Sequence, residues 1–168
     1  MTVDHTAIPI QFDPTQRRMR GRAFHGNASF DVPFISQITG TLWQGGCQQG
    51  LRLPAHIKNV ISLYPWEKYT VKHELDSVTS VRLYDDLIGP DRDQMIALAQ
   101  WINVCRKKGD TLVHCQAGLN RSGLLTGLAL VLDGYTPDDA INLLRETRSP
   151  AVLCNPVFEQ WLRDFKEN

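Results

Sequence analysis

The chain has 168 residues, of which 42% are apolar and 21% are charged, as expected for one globular domain rather than two full ones. Eighteen basic residues balance eighteen acidic ones, so the net charge indicates neither a nucleic-acid nor a membrane partner. The longest apolar run, residues 123–132, has about half the length needed to cross a bilayer, which predicts no membrane-spanning segment.

Four cysteines, at positions 47, 105, 115 and 154, show no close pairing along the chain. The first residues lack the basic region and apolar stretch that mark a signal peptide. We therefore expect reduced thiols and a cytoplasmic location. The histidines show no metal-ligand spacing, so neither a metal nor another cofactor is predicted.

The first 33 residues have a mixed composition with weak periodicity, and arginines stand at positions 17, 18, 20 and 22. We predict an N-terminal arm over residues 1–33 and a folded domain over residues 34–168. A basic cluster of this kind is more typical of a solvated surface, and a role in substrate binding is the alternative.

Four short runs of apolar and β-branched residues predict strands at residues 38–43, 59–64, 81–83 and 111–114. Helical periodicity follows at residues 95–105 and 158–165. Thr136 and Pro137, followed by two aspartates, mark a helix start, with a capping hydroxyl and acids at the positive end of the helix dipole. Strands alternating with helices predict an α/β fold, a single domain with a central, mostly parallel sheet of about 4–5 strands flanked by helices.

One loop carries the candidate chemistry. Residues 114–123, His-Cys-Gln-Ala-Gly-Leu-Asn-Arg-Ser-Gly, lie between the fourth strand and an apolar helical run over residues 121–132. A strand–loop–helix of this kind directs backbone N–H groups and the positive end of a helix toward one point, which forms an anion site. The residues predicted to bind the anionic group are Gln116, Ala117, Gly118, Leu119, Asn120 and Arg121.

The side chains of this loop are candidates for catalysis. The helix dipole and Arg121 are expected to favour the thiolate form of Cys115, which is a nucleophile. The planar guanidinium of Arg121 can hold two oxygens of a transferring group. Ser122 can donate to the sulfur when it leaves, and His114 is assigned to ordering the loop rather than to acting as a base.

The pattern His-Cys-x5-Arg-Ser, from His114 to Ser122, resembles the signature of the protein tyrosine phosphatase superfamily. The short chain and the surrounding segments over residues 34–166 are similar to its dual-specificity branch, and residues 116–123 are similar to bacterial and phage-type members. The resemblance implies a cysteine-dependent phosphatase fold, with the catalytic domain over residues 34–168. It also implies a protein tyrosine or dual-specificity phosphatase, which hydrolyses phosphate monoesters on a phosphorylated protein or peptide through a phospho-Cys115 intermediate, without metal.

The resemblance further implies a general acid, which the family supplies as an aspartate about 30 residues before the cysteine. Asp85 and Asp86 lie 30 and 29 residues before Cys115. The alternation of Val81 and Leu83 favours Asp85, whereas the resemblance to members with two adjacent acids favours Asp86. We prefer Asp86 and keep Asp85 as the alternative.

The substrate stays open at this point. The loop contains no lysine, which argues against an inositol lipid, and the segment from Trp66 to Tyr69 is either a recognition loop or packing. The runner-up function is an RNA 5′-phosphatase or triphosphatase of the same superfamily, whose nucleic-acid partner would be an RNA 5′ end. A module that binds phosphoproteins without catalysis is the alternative from another class.

Overall fold

A computed structural model describes residues 7–23, 25 and 28–167. An N-terminal antiparallel sheet, in the order β1-β2-β3, contains β1 (Ile10–Asp13), β2 (Arg18–Arg22) and β3 (Ser29–Pro33). A second sheet, in the order β4-β5-β8-β6-β7, contains β4 (Ile35–Thr39), β5 (Leu42–Gly45), β6 (Asn59–Ser62), β7 (Ser77–Ser80) and β8 (Thr111–His114). The helices are α1 (Arg92–Arg106), α2 (Arg121–Leu132), α3 (Pro137–Thr147) and α4 (Pro156–Asp164).

The five-stranded sheet is mostly parallel. β8 pairs in parallel with β5 and β6, and β6 pairs in parallel with β7, while β4 and β5 are antiparallel. All four residues of β8 are buried, because it is the central strand and α1 and α2 pack against it. The predicted α/β single domain with a mostly parallel sheet flanked by helices is confirmed.

Helix α2 lies at the centre of the helical layer, because apolar residues surround it and α1, α3 and α4 all contact it. The apolar face predicted for α1 is the buried one, from Met95 to Cys105. The Thr136 hydroxyl accepts from the Asp139 amide at 3.1 Å, which is the predicted cap of α3. These local signals place the long helices that support the loop after β8.

Two strand predictions were wrong. Residues 38–43 form a hairpin instead of one strand, because Gly40 has φ +52° and the chain reverses between β4 and β5. The strand predicted at residues 81–83 lies instead at Ser77–Ser80, which is β7. Val81 and Leu83 follow it as an extended segment packed on the core, so their alternation reflects burial rather than a strand.

The N-terminal sheet packs on the rest of the molecule. Met19, Phe30 and Val32 belong to the same buried core as the helices. Two residues of the basic cluster, Arg18 and Arg20, pair with Asp31 on the neighbouring strand at 2.7 and 3.8 Å. The division between residues 33 and 34 stays a prediction. Within the described part of the chain, no helix has the length and apolarity to span a membrane.

Candidate active site

The loop from Cys115 to Asn120 joins the end of the central strand β8 to the start of α2. It is buried, and the Cys115 amide donates to the Gly45 carbonyl at 3.2 Å. Gly118 has φ +74°, and a Cβ there would lie 2.4 Å from the Gly45 carbonyl carbon, so a glycine is required. The loop therefore faces the positive end of a 12-residue buried helix, which favours an anion.

Cys115 lies at the start of this loop and has a hydroxyl beside its sulfur. The Cys115 Sγ and the Ser122 Oγ are 3.3 Å apart. Gln44, from β5, donates through Nε2 to Ser122 Oγ at 3.1 Å and to the Gly118 carbonyl at 3.0 Å. The neighbouring strand thus fixes both the hydroxyl and the turn of the loop.

Arg121 is the first residue of α2 and is 97% buried, since only 3% of its surface is exposed. Its Nη1 donates to the Leu83 carbonyl at 3.4 Å, and its guanidinium lies 5.1 Å from the centre of the Tyr64 ring. Cys115 and Arg121 line the same small cavity, together with loop residues 116, 117, 119 and 120. A nucleophilic thiol and a guanidinium are therefore brought together.

The two aspartates face different surroundings. Asp85 lines the cavity that Cys115 lines, whereas Asp86 lines an adjacent cavity of about 190 Å³. Asp85 accepts from the side-chain amides of Asn120 at 2.9 Å and Asn155 at 2.8 Å. The Asp86 carboxylate accepts from the Ile88 amide at 2.9 Å.

Asn120 and Asn155 join three segments in one buried network. The Asn120 Oδ1 accepts from the Asn155 backbone amide at 2.9 Å, and the Asn155 Oδ1 caps α4 by accepting from Val157. The Asn155 side-chain amide also donates to the Asp86 carbonyl at 2.7 Å. The network ties the aspartate-bearing segment to the loop and to the start of α4.

His114 is buried beneath the loop, with its ring 5.3 Å from that of Tyr69 and at 89° to it. Its Nδ1 is 3.3 Å from the Cys115 carbonyl oxygen. Burial lowers the pKa of His114 from 6.5 to about 4, so the ring is neutral at neutral pH. These contacts are consistent with a residue that orders the loop.

We expect His114 to make stability fall as the pH falls. The unfolded chain binds a proton at His114 below pH 6.5, whereas the folded chain does not until about pH 4. The free energy of unfolding should therefore decrease between these values, by up to ~3 kcal/mol. Urea unfolding across this range measures the slope, which should be smaller in His114→Asn. Equal slopes in the two proteins would contradict the assignment.

Arg148 supports the loop from behind, and the sequence analysis missed it. Its guanidinium donates to the carbonyls of Gly118 at 2.7 Å, Ala117 at 3.0 Å and Pro33 at 2.9 Å, and to Ser36 Oγ at 3.0 Å. Burial lowers its pKa to about 10, so it remains charged at neutral pH. No local pattern in the sequence signals this role.

The N-terminal segment covers the loop. Gln116 Oε1 accepts from the Ile8 amide at 3.0 Å, and Gln116 Nε2 donates to the Ile8 carbonyl at 2.8 Å. Ile8 and Ala23 line the cavity beside Cys115, and the volume of this cavity is about 10 Å³. This volume is roughly enough for one water molecule. A phosphoryl group has several oxygens of that size, so the cavity must widen to admit one, and Ile8 is one of the residues that limit it.

Removal of residues 1–9 is therefore expected to raise kcat/KM for a small phosphate monoester. The two hydrogen bonds to Gln116 stabilise the closed cavity, and their loss should raise kcat/KM by at most about tenfold. The matched control is removal of residues 1–6, which leaves the contacts of Ile8 in place. Steady-state kinetics of both truncations test this expectation, and a lower kcat/KM without residues 1–9 would contradict it.

The fold and this loop define the class of cysteine-based phosphatases, in which a thiol and an arginine flank an anion loop at a helix start. A family model for the dual specificity phosphatase catalytic domain matches residues 55–168. The chain therefore belongs to the dual specificity phosphatase family, and the resemblance to the dual-specificity branch is confirmed. The similarity to bacterial and phage-type members stays a prediction.

The chain is similar to Cyclin-dependent kinase inhibitor 3 of Sus scrofa, at 24% identity over 124 residues, covering 72% of this chain and 55% of that protein. It is also similar to Tyrosine-protein phosphatase CDC14 of Saccharomyces cerevisiae, at 36% identity over 69 residues, covering 38% of this chain and 12% of that protein. The chain thus spans about half the length, or less, of these curated relatives.

Two solved structures show the same fold. Human DUSP28 superimposes with a TM-score of 0.65 at 16% identity, covering 77% of this chain and 95% of that chain. The human tyrosine phosphatase-like serine/threonine/tyrosine-interacting protein superimposes with a TM-score of 0.65 at 19% identity, covering 77% and 93%. At these identities the likeness concerns the fold alone.

Proposed function

We propose that this chain hydrolyses phosphate monoesters on phosphorylated proteins, on tyrosine and also on serine or threonine, through a phospho-Cys115 intermediate. The observation that carries the proposal is that Cys115 and Arg121 line one cavity at the start of a buried helix. A thiolate there is positioned to attack phosphorus, and the guanidinium neutralises the charge of the transferring group. Membership of the dual specificity phosphatase family supports the same chemistry.

The reaction has two steps in this proposal. The Cys115 thiolate forms a bond to phosphorus as the phosphorus–oxygen ester bond breaks, and a carboxylic acid gives its proton to the leaving oxygen. Water then attacks the phosphocysteine, the carboxylate accepts its proton, and the sulfur–phosphorus bond breaks to release inorganic phosphate. Ser122, 3.3 Å from the sulfur, stabilises the thiolate as it leaves.

Asp86 is the general acid in this proposal, and Asp85 positions the segment that carries it. Both oxygens of the Asp85 carboxylate accept from buried asparagine amides, which holds it in place. Asp86 has one hydrogen-bond donor among the described residues, the Ile88 amide, so its carboxylate can turn toward a leaving oxygen. The alternative is that Asp85, which lines the cavity with Cys115, is itself the acid.

The test is turnover by the purified chain of para-nitrophenyl phosphate, phosphotyrosine and phosphothreonine peptides, and 5′-triphosphorylated RNA, all in the presence of chelator. Turnover of the aryl phosphate and the phosphopeptides is expected, with RNA a poor substrate. Activity that disappears in chelator would overturn the metal-independent mechanism. Faster turnover of RNA than of any peptide would favour the RNA 5′-phosphatase instead.

A further inference from the structure

Arg82 lies beside the candidate active site with its charge held against two aromatic rings. Its Cζ is 4.7 Å from the centre of the Trp66 ring and 5.2 Å from that of Tyr84. Stacking of a guanidinium on aromatic rings fixes its plane while leaving the N–H groups at its edge able to donate. The side chain is exposed to solvent, so an external group can reach these donors.

Within the part of the chain that the structure describes, the Arg82 guanidinium also has no anionic partner. Among residues 7–23, 25 and 28–167, no carboxylate lies within ion-pair distance of Arg82 and no acceptor hydrogen-bonds to it. The other arginines with aromatic contacts differ in this respect, since Arg92 donates to the Lys166 carbonyl and Arg121 to the Leu83 carbonyl. Arg82 is thus a fixed cation with open donors.

A short series of contacts connects this cation to the catalytic arginine. The Arg121 guanidinium lies over Tyr64, whose ring centre is 5.7 Å from that of Trp66, on which Arg82 stacks. Arg121 also donates a hydrogen bond to the carbonyl of Leu83, the residue that follows Arg82. In a peptide substrate, a group bound at Arg82 would therefore be only a few residues along the peptide from the phosphorylated residue held at Cys115.

We propose that Arg82 binds an anionic group of the phosphoprotein substrate, a carboxylate or a second phosphate, close in sequence to the residue that is dephosphorylated. Arg82 accordingly selects acidic or multiply phosphorylated peptides over neutral ones. The inference rests on the proposed phosphatase function.

The experiment compares phosphotyrosine peptides that differ at a single position within three residues of the phosphotyrosine. That position carries glutamine, glutamate or phosphothreonine. The glutamine peptide is neutral there, the glutamate peptide tests recognition of a carboxylate, and the phosphothreonine peptide tests recognition of a second phosphate. Each peptide is tested with the wild type and with Arg82→Gln, Arg82→Lys and Arg92→Gln. Arg92→Gln is the matched control, because Arg92 also stacks on an aromatic ring, that of Phe165, but its hydrogen bond is to the Lys166 carbonyl near the C-terminus.

The wild type should prefer at least one anionic peptide in kcat/KM by about fivefold, as an exposed ion pair allows. Arg82→Gln should lose this preference while turning over para-nitrophenyl phosphate at the wild-type rate. Arg82→Lys should retain part of it, and Arg92→Gln all of it. The preference should decrease as salt is added, because the contact is exposed.

Equal kcat/KM for all peptides in the wild type, or a preference that survives in Arg82→Gln, would overturn the proposal. If Arg82→Gln lowers kcat/KM for para-nitrophenyl phosphate by the same factor as for the peptides, the proposal is also overturned, because the effect is then structural. Faster turnover of triphosphorylated RNA than of the peptides would do the same. Failure of the phosphatase function is distinguishable, because the wild type would then turn over none of these substrates.

Discussion

Replacement of Cys115 by serine is expected to abolish turnover of para-nitrophenyl phosphate, by at least ~10³-fold in kcat. A serine hydroxyl at this position is a far weaker nucleophile than a thiolate, and among the described residues that line the cavity there is no second thiol and no hydroxyl. Ser122 lies 3.3 Å from the sulfur but is 0% exposed and already accepts from Gln44. The measurement is steady-state hydrolysis by wild type and variant under the same conditions.

Cys105→Ser is the matched control for this variant. Cys105 is also a buried thiol, but it lies on the packed face of α1, away from the loop. Its replacement should leave kcat within a few-fold of the wild type, and the melting temperatures of both variants show whether either fold is lost. A folded Cys115→Ser protein that keeps its activity would contradict the phosphocysteine mechanism.

Replacement of Asp86 by asparagine is the second large effect expected. Loss of a general acid should lower kcat for a phosphotyrosine peptide by about 10²-fold or more. The effect should be much smaller for para-nitrophenyl phosphate, because its leaving group needs little protonation. This dependence on the leaving group identifies the residue that donates the proton, which a loss of activity alone does not.

Asp85→Asn should behave differently, since Asp85 holds the segment in place through Asn120 and Asn155. We expect a similar loss of kcat for both substrates, because the whole segment is displaced. Asp93→Asn, at an exposed position in the first turn of α1, is the control and should be close to the wild type. If the dependence on the leaving group appears in Asp85→Asn instead, Asp85 is the acid.

Residues outside the family match contribute to the candidate site. The match covers residues 55–168, whereas Gln44 and Gly45 on β5 contact the loop and Ile8 covers it. The N-terminal sheet shares its core with the rest of the molecule, through Met19 and Phe30. A variant that lacks β1 to β5 would therefore lose part of the structure that supports the loop.

The sequence by itself determined the loop and the class of fold. The signals involved are local: a cysteine and an arginine separated by five residues, a glycine between them, and helix starts such as Thr136. Spacing within one strand–loop–helix is set by backbone geometry, so neighbours in sequence become neighbours in space. For the same reason the buried face of α1 followed from its apolar periodicity.

Only the tertiary structure decided which distant residues meet the loop. Arg148 lies 30 residues from Gly118 and Ile8 lies 108 residues from Gln116, and neither contact has a local signal. The separate surroundings of Asp85 and Asp86 depend likewise on Asn120 and Asn155. The error at residues 81–83 has the same origin, because the apolar alternation that predicts a strand also arises in an extended segment packed on a core.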